Sequence, residues 1–199
     1  MQRDLIQNWW LLHIRGIMAV LFGLFLMYLA GTMQGVFTTS IAMVAVLIAF
    51  MFYVIASTVM TIVAAIKAYD QPHKFAALGI HGLLLLVFSL AIWFFEPITI
   101  DWLIWFMVAT AVSSGVLEIA LAQSLSSHLD ASLLDVAGII SVISAVMLLL
   151  GRSLPSSLLV EGLGIYTLYY GGVFVLLSLR LRTMSAVSSQ ATKKEGRSH

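Results

Sequence analysis

Cysteine is absent from all 199 residues, which excludes disulfides, thiolate metal sites and a cysteine nucleophile. Charge is nearly as scarce. Lys, Arg, Asp and Glu make up 10% of the chain, where a soluble domain carries about a quarter, and 61% of the residues are hydrophobic. A globule this small has too little interior to hide so much apolar surface. A bilayer is therefore the solvent that the composition calls for, and the lipid bilayer is the first partner expected. Nucleic acid is not expected, because the net charge is only +1 and no basic patch with interleaved aromatics occurs. His-Glu-x-x-His, Gly-x-Ser-x-Gly and phosphate-loop patterns are missing. An Arg-rich voltage-sensor helix and a helix lined with acids are missing too. The three prolines read as loop residues, without the broken midplane helices of secondary transporters. Nothing here predicts an enzyme, a cofactor or a metal.

Long apolar runs fill the space that charge leaves. A transmembrane helix needs about 20 such residues to cross a core of about 30 Å. Six runs qualify, at 9–30, 41–66, 75–95, 102–122, 133–150 and 158–179. Turn formers and charges separate them: Gly31-Thr32-Met33-Gln34-Gly35, Asp70-Gln71-Pro72, Glu96-Pro97, Ser126-Ser127-His128 and Arg152-Ser153-Leu154-Pro155. The runs are long and lack polar–apolar alternation, so they predict helices rather than barrel strands. The expected fold class is an all-α integral membrane protein. Residues 1–182 form a six-helix transmembrane domain of three repeated hairpins at 9–66, 75–122 and 133–179. A polar, Ser-rich and basic tail at 183–199 is expected to be disordered. The first run is too long for a signal-peptide core and reads as a retained anchor. The second would extend about 39 Å as a helix, so it must tilt or project.

The positive-inside rule sets the expected orientation. One side holds Arg3, Lys67, Lys74, Arg180, Arg182, Lys193, Lys194 and Arg197, and the other holds only Arg152. Both termini are thus expected in the cytoplasm. Trp9, Trp10, Trp93 and Trp102 stand near span ends, as interfacial aromatics do.

Small residues recur at fixed offsets. Gly82, Ser89, Ser114 and Gly115 precede Gly138, Ala145, Tyr170 and Gly171 by one common interval, and Gly16 and Gly23 stand before Gly82 and Ser89 in the same way. Each odd-numbered helix therefore carries a small residue and another seven positions on, which places both on one face. Small side chains on a shared face allow helix backbones to approach closely in lipid, where no hydrophobic force pulls helices together. Ala111 and Gly115, and Gly164 and Gly171, offer even-numbered helices the same surface.

Trp9-x5-Arg15-Gly16-x6-Gly23 begins a pattern continued by Leu78-Gly79-Ile80-His81-Gly82, Phe95-Glu96-Pro97 and Ser113-Ser114-Gly115-Val116-Leu117-Glu118-Ile119. The third hairpin repeats it with Val136-Ala137-Gly138-Ile139 and Tyr170-Gly171-Gly172. This pattern resembles the HdeD family of bacterial inner-membrane proteins over most of residues 9–182. The first hairpin departs from it, with a Gly-rich turn in place of the usual Pro turn and an extended second helix. The resemblance implies a six-helix, multi-pass, non-enzymatic protein of the cell inner membrane that contributes to acid or envelope stress tolerance. A small transporter or channel with a path between the hairpins is the alternative. A membrane assembly or scaffold protein is another, with a homo-oligomer or a membrane-protein partner on its glycine faces.

Ionisable groups inside spans are costly and are functional candidates by default. Arg15, His81, Glu118 and Asp135 all fall in the half of their spans nearer the cytoplasm and predict an intramembrane charge cluster. It would either hold the bundle together or exchange protons, which carboxyl and imidazole groups can do. Tyr166, Tyr169 and Tyr170 share one helical face and predict a polar seam. His13 is expected at the interface, and Glu96, Asp101 and Glu161 at the outer side.

Overall fold

The computed structural model describes residues 9–67, 72–94, 100–123 and 128–195, and all the regular structure among them is helical. Six helices follow one another: α1 (Trp9–Thr32), α2 (Val36–Lys67), α3 (Pro72–Phe94), α4 (Ile100–Ala122), α5 (His128–Leu150) and α6 (Ser156–Glu195), with a 3₁₀ turn at Gly151–Ser153 before α6. Five of them, all but α3, are long and apolar enough to cross a membrane, consistent with a multi-pass membrane protein. In α3 the described apolar stretch is Leu78–Phe88.

Local chemistry accounts for most helix ends. α1 stops at the Gly-containing turn expected there, and the Thr32 hydroxyl donates to the Leu29 carbonyl at 2.7 Å. α2 opens with half of a capping box, in which the Gly35 N–H donates to Thr38 Oγ1 at 3.0 Å. Its first residues, Val36 and Phe37, are 89% and 78% exposed. Pro72 is the first residue of α3 rather than a loop residue. That position suits proline because the first N–H groups of a helix have no partner to lose. Pro97 lies outside the described residues. α5 begins at His128, five residues before the expected start. The tail also differs from expectation, since α6 continues through Glu195. No Gly or Pro occurs between Thr183 and Glu195, and extending a formed helix adds a hydrogen bond per residue without a new nucleus.

The helices make a closed ring in chain order, with α6 returning to α1. The closest pairs are α1 with α6, α4 with α5, and α2 with α3. Sequence neighbours expected to be intimate hairpin partners (α1 with α2, α3 with α4, α5 with α6) pack less closely. Glycine decides this. A Cβ on Gly16 would lie 2.9 Å from the Gly171 carbonyl oxygen, and a Cβ on Gly171 would lie 2.6 Å from that of Gly16. Gly23 and Gly164 meet in the same antiparallel register, and a Cβ on Gly23 would lie 2.9 Å from the Gly164 oxygen. Gly115 and Gly138 repeat this between α4 and α5, at 2.6 and 2.7 Å to each other's carbonyl oxygens. Real side chains do not tolerate such distances, so these two seams exist because both sides lack a side chain. Gly82 is looser, with Ile62 Cγ1 of α2 at 3.3 Å. Ala145 is buried, and the side chain of Ser89 lies outside the described residues.

Between the helices, one apolar cluster runs through Phe22, Leu26, Val46, Phe50, Met107 and Leu163. A second gathers Ala19, Ala122, Leu134, Phe174, Leu177 and Leu181. Large apolar side chains such as Leu21, Phe52, Leu83, Val116, Ile143 and Leu176 point outward and are exposed, as lipid-facing residues must be.

Candidate functional site

Polar side chains from all six helices turn inward. Arg15 comes from α1, Tyr53 from α2, His81 from α3, Glu118 from α4, Ser141 from α5, and Tyr166 and Tyr170 from α6. Glu118 is 2% exposed and His81 3%, burial that charged or ionisable groups tolerate only with compensation.

Glu118 is held through both of its oxygens. The Tyr170 hydroxyl donates to Oε1 in a short hydrogen bond. Oε2 lies 3.5 Å from Ser141 Oγ, which also accepts from the Tyr166 hydroxyl at 3.0 Å and lies 2.9 Å from the Ala137 carbonyl oxygen. A serine hydroxyl has one proton. Its proton is shared between the Ala137 carbonyl, at the shorter distance, and Glu118 Oε2, to which the Ser141 hydroxyl also donates.

Arg15 is not locked to this carboxyl group. No ion pair within 4.0 Å joins it to a carboxylate among the described residues. Its guanidinium instead packs on two rings of α6, 5.7 Å from the centroid of Tyr170 and 5.2 Å from that of Phe174. Such contacts are favourable, more so away from water. Arg15 nevertheless stays within electrostatic reach of Glu118, Tyr170, Tyr53 and Tyr166. His81 is within its electrostatic reach as well. Both ring nitrogens of His81, and Nε of Arg15, are buried without a hydrogen-bond partner.

Of the four ionisable residues expected at one depth, Arg15 is within electrostatic reach of Glu118 and His81 and bonds directly to neither. Asp135 is half-buried and joins none of these contacts. The cause is helical phase: Ser141, six residues on, faces inward from a different angle of α5. Tyr166 and Tyr170 enter the network, whereas Tyr169 is 41% exposed, so the expected three-tyrosine seam holds two. His13 Nδ1 lies 2.8 Å from Ser178 Oγ and its ring meets Trp9 edge-on, which ties α1 to α6. Glu161 is exposed. Glu96 and the side chain of Asp101 lie outside the described residues.

Sequence reasoning missed Tyr53 and Ser141. A tyrosine deep in an apolar run was the available signal for the first, and a serine three positions after Gly138 for the second. Tyr53 stacks on Phe22 at 5.0 Å between centroids, which fixes it beside α1.

No group of three or more potential metal ligands gathers among the described residues. A cavity of about 20 Å³ lies among Met43, Val46, Ile104, Met107 and Leu148. Its walls offer too few polar partners to hold a water. Basic residues cap one end of the ring, with Lys67 4.9 Å over the Trp10 ring and Arg182 5.2 Å over that of Trp9. Comparison with protein-family models, curated proteins and solved structures gives no match.

Proposed function

We propose that this chain is an HdeD-like multi-pass protein of the bacterial inner membrane, without enzymatic activity, that helps the cell tolerate acid or envelope stress through a protonatable centre at Glu118. The observation that carries this reading is the Glu118 network itself. It is a buried carboxyl group that accepts hydrogen bonds from Tyr170 and Ser141, with the Arg15 guanidinium within electrostatic reach. Gain or loss of that proton changes the charge balance between α1, α4 and α6. The reading takes six crossings, three repeated hairpins and cytoplasmic termini. The repeat is supported by the main-chain nitrogens nearest to the three seam glycines: Val175 for Gly16, Ile119 for Gly138 and Ile62 for Gly82. Each belongs to a β-branched residue at a corresponding place on the even-numbered helix. Placement of the basic end in the cytoplasm is supported by Lys67 and Arg182 over the two tryptophans.

The test is survival and cytoplasmic pH after an acid shock in a strain lacking the gene. That strain is complemented with the intact gene or with Glu118→Gln at equal membrane abundance. Rescue by the intact gene alone is the expected result. Equal survival of all three strains would remove the acid-stress reading.

A small transporter or channel is the second reading, favoured by inward polar groups on every helix of the ring. Solute or ion flux in proteoliposomes, absent from vesicles without protein, would establish it. The assembly-factor reading has less support, because Gly16, Gly23, Gly115, Gly138, Gly164 and Gly171 are occupied within the chain.

A further inference from the structure

At the end of the ring where α1 begins, cations from two other helices rest on two adjacent aromatic rings. Lys67 of α2 lies 4.9 Å over Trp10, and Arg182 of α6 lies 5.2 Å over Trp9. We propose that this collar of Trp9, Trp10, Lys67 and Arg182 binds the headgroup of an anionic phospholipid, whose acyl chains lie along the outer face of α1. The site shares no residue with the Glu118 centre and does not depend on the stress-tolerance reading.

The first ground is that the collar is held in place from within. His13 Nδ1 lies 2.8 Å from Ser178 Oγ, and Ser178 is fully buried. His13 stands four residues after Trp9, and Ser178 four before Arg182. The two contacts are therefore stacked one helical turn apart on the same seam. Glycine contact between Gly16 and Gly171 clamps α1 to α6 further in. Lys67, the last residue of α2, reaches the same level from the other neighbour of α1 in the ring.

The second ground is charge. Lys67 and Arg182 are exposed, and Arg182 has no carboxylate within ion-pair distance among the described residues. A cation–π contact orients a charge without neutralising it. A tryptophan ring attracts choline, but each of these rings already carries a cation of the protein. The collar thus favours an anionic headgroup over a zwitterionic one.

The third ground is position. Tryptophans and basic residues at span ends sit at headgroup level, and basic groups between helices there attract anionic lipid. Trp10, Ile17, Leu21 and Leu24 are all exposed and follow one another at steps of seven, four and three, which keep them on one face. This apolar strip begins at the collar and runs into the membrane. The anion that fits both parts carries acyl chains, so it is a phospholipid rather than free phosphate.

The test titrates phosphatidylglycerol or phosphatidylcholine into the full-length protein in neutral detergent, with bound lipid counted by native mass spectrometry. Stability is read by thermal unfolding in phosphatidylcholine nanodiscs with and without phosphatidylglycerol. Saturable, preferential binding of phosphatidylglycerol and a raised Tm in its presence are expected. Lys67→Gln and Arg182→Gln should each weaken binding about fivefold, the worth of one basic group near a membrane surface. Arg182→Lys keeps the charge and should keep most of the binding. The decisive control is Arg180→Gln. Arg180 is exposed at the same end, but two residues from Arg182 it lies on another face of α6, so its loss should leave binding unchanged. Equal losses in Arg180→Gln and Arg182→Gln would reduce the collar to diffuse surface charge and overturn the proposal. Equal binding of the two lipids, or the same stabilisation by inorganic phosphate alone, would overturn it as well. In pure phosphatidylcholine the variants should melt close to the wild type. A loss there as large as the loss with phosphatidylglycerol would also count against the site. None of these outcomes depends on acid survival, so either proposal can fail alone.

Discussion

Two kinds of helix seam stand side by side in this ring. Between α1 and α6, and between α4 and α5, glycine faces glycine and main chain touches main chain. Between α2 and α3 only one side is glycine, and a Cβ on Gly82 would lie 3.3 and 3.5 Å from the side chains of Ile62 and Thr61. In lipid the drive to associate is contact itself. A seam with small residues on both sides gains close contact at the cost of tolerance, whereas a one-sided seam keeps some slack. The two intimate seams also bear the polar network. Arg15 and Tyr170 sit one residue before Gly16 and Gly171, while Glu118 and Ser141 each stand three residues beyond Gly115 and Gly138. Backbone proximity there brings polar side chains of facing helices within reach of each other.

The largest way to break this contrast is Gly115→Ala. Its Cβ would sit 2.6 Å from the Gly138 carbonyl oxygen, and main chain cannot yield as a side chain can. A loss of about 3 kcal/mol or more is expected, measured by reversible unfolding in mixed micelles. Tyr170→Phe comes next. It deletes the hydroxyl that satisfies Glu118 Oε1 while keeping the ring beneath Arg15, and should cost about 1–3 kcal/mol. A double-mutant cycle with Glu118→Gln should show the two effects to be non-additive, because the residues share one bond. Gly82→Ala tests the looser seam. Its Cβ meets a movable Ile62 side chain, so the cost should stay within about 1 kcal/mol, partly offset by better helix propensity. The smallest effect is expected at Gly172, which adjoins Gly171 yet has nothing within 4 Å of its would-be Cβ. Gly172→Ala should be neutral or stabilise by about 0.5–1 kcal/mol, while Gly171→Ala is severely destabilising. Equal effects at these adjacent positions would refute backbone contact as the source of the seam's stability.

The helical class was legible because each run of some twenty apolar residues is a local signal that needs no knowledge of its neighbours. The Gly-x6-small spacing was legible for the same reason, since helix geometry alone puts both residues on one face. The partner of each face was not. Hairpins were the natural expectation because short connections favour adjacent packing, but Gly16 fits against Gly171 across nearly the whole chain. The candidate site divides in the same way. Arg15, His81 and Glu118 stood out by their charge in apolar surroundings. Tyr53 and Ser141 did not, because a single hydroxyl in a span is common and becomes notable only when a carboxyl group lies opposite. Asp135 had the right depth and the wrong phase.

Composition and periodicity by themselves determined an all-helical chain suited to lipid, with small residues on one face of several helices and a few ionisable groups within the spans. Those properties follow from residue type and a fixed rise and turn per residue, so no fold is needed to read them. Only the tertiary structure decided that the ring closes from α6 to α1, that glycine pairs with glycine across hairpins, and that Glu118 bonds to Tyr170 while Arg15 rests on aromatic rings. These are contacts between residues distant in sequence, and they depend on the rotation of each helix about its own axis, which a single amphipathic pattern leaves undetermined when lipid and protein interior are equally apolar.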